Sequence, residues 1–174
     1  IRLPVLIVDA FNVLHASAKA GLGRIDVTRL TALIAHSPWA SEHVVLVFDG
    51  TGGRAAPGRG SLRHPADVGL DLESRGSGIS EVYAGGGMVA GASKPPDADA
   101  VIESLLEREE QMGRGRLATV VSSDKRVRAA ATGARAKSIG SEEFLKRLAE
   151  DVRKAHERAK RKDGGRPEFA TDEG

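Results

Sequence analysis

Three aspartates in this 174-residue sequence share a position that needs explaining. Asp9, Asp49 and Asp124 each close a run of apolar residues, in "LIVDAFNVLH" (6–15), "HVVLVFDG" (43–50) and "LATVVSSD" (117–124). A further stretch, "PPDADAVIESLL" (95–106), opens a helical pattern with Asp97 and Asp99, and Glu103 follows Asp99 by four residues, on the same helical face. In open parallel sheets ligands gather at the carboxyl ends of the strands, so these acids are expected to converge on one crevice. Carboxylates packed together repel one another unless a divalent cation or bound protons relieve the charge. With no cysteine in the chain, any metal must be held by oxygen or histidine nitrogen. An oxygen-only ligand set favours Mg²⁺ or Mn²⁺. Such an ion lowers the pKa of a bound water and stabilises charge on a phosphate under in-line attack, and a second ion roughly 4 Å away holds the leaving oxygen. That is the chemistry of phosphodiester hydrolysis. The structural alternative for any single strand-end aspartate is a cap on the following turn or helix; three such acids plus a helical pair weigh against it.

The elements that must position these acids follow from periodicity. Val5–Asp9 and His43–Gly50 read as buried strands, 79–86 and 117–124 as the third and fourth, and Ala136–Ile139 as a short fifth. Helices are expected from Asp26, an N-cap ahead of Val27, Leu30 and Leu33/Ile34; over 95–112; from Lys125 to a close at Gly133; and from Ser141, read as an N-cap, to Lys162. A short helix is expected around Val68 to Glu73. Thr51–Arg63 is rich in Gly, Pro, Ala and Arg and reads as a loop, and the tail 163–174 has no period and reads as disordered. Buried strands alternating with helices imply an α/β fold with a mainly parallel sheet covered on both faces.

Charge is segregated along the chain although its net value is only +2. Residues 1–110 carry 10 Lys/Arg against 14 Asp/Glu, residues 111–137 carry 7 against 1, and residues 138–174 carry 9 against 9. An acidic cavity beside a basic rim suits a polyanion approaching a cation-filled site. No apolar run reaches the roughly 20 residues of a membrane span, and no signal-peptide pattern is present, so a cytoplasmic protein is expected.

Taken in order, "LIVDAFNVLH", "VVLVFDG", "DADAVIESLL" and "VVSSDKRVRAAA" followed by "SEEFLKRL" resemble the YacP-like NYN domains, a branch of the PIN-like metal-dependent ribonucleases, over residues 4 to about 155. The family's Asp-Gly-Tyr-Asn strand end, Phe-Asp strand end, Ala-Asp-x-x-Ile-Glu helix start and Ser-Asp strand end fall on Asp9 with Asn12, Asp49, Asp99 with Glu103, and Asp124 with Ser122 and Ser123. Ala10 and Phe11 depart from the family's Gly and Tyr, and residues 51–64 form a longer Gly/Arg-rich excursion. The resemblance implies a three-layer α/β/α fold, one domain over 1–162 with a basic last helix (141–162), and a Mg²⁺- or Mn²⁺-dependent endoribonuclease acting on mRNA or ribosome-associated RNA. Asp9, Asp99 and Asp124 are then expected as direct metal ligands and Asp49 and Glu103 as ligands through water, with Asp97 able to replace Asp99. Asn12 would hold the Asp9 carboxylate or a phosphate oxygen. Ser122 and Ser123 would hydrogen-bond a phosphate or orient Asp124. Lys125, Arg126 and Arg128 are the nearest cations for single-stranded or structured RNA, and Arg54, Arg59 and Arg63 form a second clamp.

Other readings lose ground on specific residues. "FDGTGG" has Val47 where a haloacid-dehalogenase nucleophile would stand, and the Gly-rich strings lack the Lys-Ser/Thr ending of a P-loop. His15, His36, His43, His64 and His156 show no metal-ligand spacing. One Trp, one Tyr and four Phe are too few for an aromatic recognition sheet, so electrostatics should dominate RNA affinity. The rival from another class is a catalytically inactive RNA- or ribosome-binding module of the same fold. Oligomeric state is not legible.

Overall fold

A computed structural model describes residues 4–50, 78–86 and 97–164. The expected helix at 68–73, the Gly/Arg-rich loop with Arg54, Arg59 and Arg63, and the tail from 165 lie outside the described residues.

Five strands, β1 (Val5–Asp9), β2 (His43–Phe48), β3 (Gly78–Tyr83), β4 (Ala118–Val121) and β5 (Lys137–Ile139), form one sheet in the order β3-β2-β1-β4-β5. All neighbouring pairs are parallel. Every residue of β1, β2 and β4 is buried, as expected of strands covered on both faces. Among the described residues the α-helices are α1 (Ala10–Ala16), α2 (Val27–Ala35), α3 (Ala98–Gln111), α4 (Lys125–Gly133) and α5 (Ser141–Asp163).

Alternate side chains of each strand divide the core in two. Val5, Ile7, Val45, Val47 and Val120 pack with α3 and α4 through Ile102, Leu105, Leu106 and Val127. Leu6, Val8, Val44, Leu46 and Val121 pack with α1, α2 and α5 through Val13, Leu30, Ile34, Phe144 and Leu148. The result is the expected three-layer α/β/α sandwich. Fully burying one such aliphatic side chain stabilises by about 1.5–3 kcal/mol, so the sheet's central strands anchor the fold.

From β1 the chain winds outward to β2 and β3, then returns across the sheet for β4 and β5 on the other side of β1. The connections leaving β1 and β4 therefore enter helices on opposite faces, α1 on one and α4 on the other. Between these strand ends a crevice must open, and this is the usual ligand position in such sheets.

Several boundaries differ from the sequence expectation. β4 stops at Val121, so Asp124 is not a strand end but the N-cap of α4. α5 is capped by Gly140, and Ser141 is its first helical residue. Helix α4 ends at Gly133 as expected, and the left-handed residue that turns the chain after it is Arg135, at φ 59°. Helix α1 was not expected; it is only seven residues long, and its buried positions are Ala10 and Val13 alone. From Arg153 onward α5 is exposed on all sides.

Candidate active site

The crevice between β1 and β4 is built from acids, and each is fixed by a local cause. Asp9 is the last residue of β1 and is only 5% exposed. Its Oδ2 accepts a 2.8 Å hydrogen bond from the hydroxyl of Ser122, which is fully buried at the end of β4. Burial pushes the Asp9 carboxyl above its ordinary range, and the charges of Asp49 and Asp124 push the same way, while Ser122 and the Asn12 backbone N–H oppose them.

Asp99 sits in the first turn of α3, and its carboxyl is pushed up to about 6. Burial is the largest cause, followed by repulsion from Asp124, Asp9 and Asp97, with Arg126 pulling back. Acids far apart in sequence thus feel one another's charge.

The remaining acids double as structural ties. Asp97 caps α3 by accepting from the Ala100 backbone N–H at 2.8 Å. Asp49 Oδ1 accepts from the Ala98 N–H at 2.7 Å and so ties the end of β2 to the start of α3. Asp124 Oδ1 accepts from the backbone N–H groups of Arg126 and Val127 at 2.8 and 3.3 Å. The capping alternative therefore applies to Asp97 and Asp124. In Asp124 it occupies Oδ1 alone among the carboxylate oxygens, and Oδ2 is not part of the cap.

A second hydrogen-bonded cluster stands beside the acids. Asn12 Oδ1 accepts from the Ser123 backbone N–H at 2.9 Å and from the Ser141 hydroxyl at 2.5 Å, while Ser123 Oγ accepts from the Ser141 N–H at 3.0 Å. Asn12 thus holds the loop after β4 and the start of α5 rather than the Asp9 carboxylate through its side chain. Ser122 donates to Asp9 and accepts from the Asp124 N–H at 3.1 Å. Fully buried, it stands in the second of its two expected roles, beside Asp124, and it also holds Asp9. Ser141 was missed as a member of the site; its contact to Asn12 spans 129 residues, and no local pattern signals it.

Arg126 closes one side of the crevice. Its Nε and one terminal nitrogen donate to both Glu103 carboxylate oxygens at 2.6 and 3.2 Å, and the other terminal nitrogen lies 3.7 Å from Asp97 Oδ2. Glu103 and Asp97 accordingly face a guanidinium in this arrangement. Lys125 and Arg128 are exposed on the same helix.

Among the described residues, no three His, Asp or Glu side chains stand close enough to hold one metal ion together. A shell of three directly bound carboxylates, as expected for Asp9, Asp99 and Asp124, is not what this arrangement offers. The donor set still fits a hydrated Mg²⁺ or Mn²⁺ ion, which needs one or two carboxylates and reaches others through its waters. The uncompensated repulsion that raises Asp99 is the charge such an ion would offset.

A parallel sheet with acids drawn together at its winding reversal defines an α/β protein with an acidic crevice. The family model of the YacP-like NYN domain matches residues 82–172, just over half of the chain. Two solved structures of Rae1 (YacP) from Bacillus subtilis are similar in fold. A point mutant of that protein matches at 17% identity and a TM-score of 0.58, over 94% of this chain and 86% of that one. A second Rae1 structure matches at 17% identity and a TM-score of 0.54, over 90% and 80%. No curated protein matches. The chain belongs to the YacP-like NYN domain family, which is in general nuclease-like and RNA-related. Among the described residues no helix is long and apolar enough to cross a membrane.

Proposed function

We propose that this chain is a metal-dependent endoribonuclease that hydrolyses RNA phosphodiester bonds at the crevice between β1 and β4. The observation that carries this reading is the gathering of acids around Asp99, whose carboxyl is raised to about 6 by burial first and then by the charges of Asp124, Asp9 and Asp97. One or two of Asp9, Asp99 and Asp124 would bind Mg²⁺ or Mn²⁺ directly, and the others, with Asp49 and Glu103, would act through its waters. The bound ion would lower the pKa of an attacking water and stabilise charge on the phosphate.

The chain's own residues do the rest. Ser122 fixes the rotamer of Asp9, Asp49 and Asp97 pin the start of α3 so that Asp99 points into the crevice, and Asn12 with Ser141 anchors the loop that carries Asp124. Lys125, Arg126 and Arg128, at the rim, receive the RNA backbone, with Arg54, Arg59 and Arg63 as further phosphate contacts. The working unit is residues 1–162, acting in the cytoplasm on mRNA or ribosome-associated RNA.

A binding module without turnover is the second reading. It is favoured by Arg126, whose pairing with Glu103 already neutralises one of the acids. The two separate in a cleavage assay on single-stranded and structured RNA with Mg²⁺ or Mn²⁺. Asp9→Asn and Asp124→Asn are expected to lower cleavage at least about 100-fold. Asparagine caps a helix as well as aspartate does, so Asp124→Asn should leave α4 intact. RNA binding without cleavage, indifferent to both substitutions, would establish the module instead.

A further inference from the structure

Phe11 stands in the open in the turn that follows Asp9. It lies between Asp9 and Asn12 in the first turn of α1 and is 38% exposed. Among the described residues only one other large apolar side chain is exposed, Leu117, which precedes β4 and so lies at the opposite, amino-terminal end of the strands.

Single exposed apolar residues are common on protein surfaces and need no function. Phe11 differs in how it is held. Its ring meets Phe48 edge-on, with centroids 5.5 Å apart and planes at 79°. Phe48 is buried and stacks on Tyr83 at 5.1 Å and 19°. Phe48 and Tyr83 are the last residues of β2 and β3 and pair in register. A row of three rings therefore runs across the carboxyl ends of three strands, immovable at its buried centre and ending in solvent at Phe11. Phe48 directly precedes Asp49 and Phe11 follows Asp9 by two residues, so the chain joins this row to two of the acids.

We infer that Phe11 is a base-stacking residue: its open face receives one unpaired nucleobase of the RNA strand whose phosphate lies at Asp9, Asp99 and Asp124. This rests on the endoribonuclease reading and adds the substrate class, RNA that is single-stranded at the cut. A nucleotide's base and phosphate are one sugar apart, and Phe11 and Asp9 are two residues apart. Bases inside a duplex are stacked on each other and present no face to a side chain. Phenylalanine carries no hydrogen-bonding group, so the contact accepts any of the four bases. Edge-on support from Phe48 sets the ring in place before the base arrives, which reduces the ordering cost of binding.

The test compares Phe11→Ala, Phe11→Leu, Phe11→Tyr and Phe11→Trp in binding and cleavage of a single-stranded RNA, the same strand with one abasic nucleotide at the cut, and a duplex. Leucine keeps apolar contact with Phe48 but has no π face, so it separates stacking from packing. The Phe11→Ala and Phe11→Leu variants are expected to bind the intact strand roughly 5- to 150-fold more weakly, and Phe11→Tyr and Phe11→Trp close to the parent. The abasic nucleotide should weaken the parent by a similar factor and leave Phe11→Leu unchanged, the non-additivity that marks a shared contact. Equal binding by the parent and Phe11→Leu, or equal abasic penalties in both, overturns stacking while leaving the nuclease reading in place. A parent protein that neither binds nor cuts any RNA overturns both.

Discussion

The hydroxyl of Ser122 donates a 2.8 Å hydrogen bond to Oδ2 of Asp9 across the junction of β4 and β1, 113 residues apart in sequence. Because both groups are buried, the bond fixes the carboxylate's direction and opposes the rise in its pKa. Ser122→Ala removes that opposition. Cleavage is expected to fall about 10-fold, the worth of a hydrogen bond to a charged group. The acid limb of the pH–rate profile should move to higher pH, whereas a purely structural role would lower the rate equally at all pH values.

Asp99 predicts an unusual pH dependence of stability. Its carboxyl titrates near 6 in the folded protein against 3.8 ordinarily, so the unfolded chain releases this proton first as pH rises. Stability from this group is full below about pH 4, declines through about pH 6 and stays low above it. Asp99→Asn, which cannot ionise, should raise the melting temperature at about pH 7.5 and leave it nearly unchanged at about pH 4. Thermal melts of both proteins across this range check it.

Divalent ions should act on the same group. Mn²⁺ or Mg²⁺ at about 100 times its dissociation constant is expected to stabilise the wild-type protein by about 2.7 kcal/mol. Asp99→Asn should forfeit most of this gain, and chelation should reverse it. Melts with and without the ion, on both proteins, give the answer.

Arg126 is held by Glu103 on the surface, where such pairs add little to stability. Arg126→Ala should therefore barely shift the melting temperature. If Arg126 exchanges Glu103 for an RNA phosphate, the log–log salt dependence of single-stranded RNA binding should flatten by about 0.7. An unchanged slope would restrict Arg126 to its ion pair.

Gly115 marks a place where backbones touch. A Cβ there would overlap the carbonyl oxygen of Ala134, so the turn before β4 and the end of α4 admit only glycine. Gly115→Ala is expected to cost about 1–3 kcal/mol, read from denaturant unfolding, as overpacking does elsewhere.

Much of this molecule could be read from local chemistry. The Val/Ile/Leu runs marked β1, β2 and β4 because strands buried on both faces need no alternation, and Asp26 marked the start of α2 through its N-cap bond to Arg29. That Asp9, Asp99 and Asp124 feel one another's charge followed from parallel-sheet topology, since strand ends that point one way gather what they carry. What escaped was of two kinds. Helix α1 is too short to show a period, and nothing local marks Arg135 as the residue that takes a left-handed turn. The partners of Ser122, Ser141 and Arg126 are 113, 129 and 23 residues away, and which hydroxyl meets which acid is decided by register between β1 and β4. Sequence spacing carries no record of that register.

All five strands run in one direction, so the protein has a working rim and a blank one. The chain enters β1 from the blank side, at Pro4. A tether or fluorophore attached there would emerge away from the acids, leaving the rim that carries them facing solution when the protein is fixed to a support.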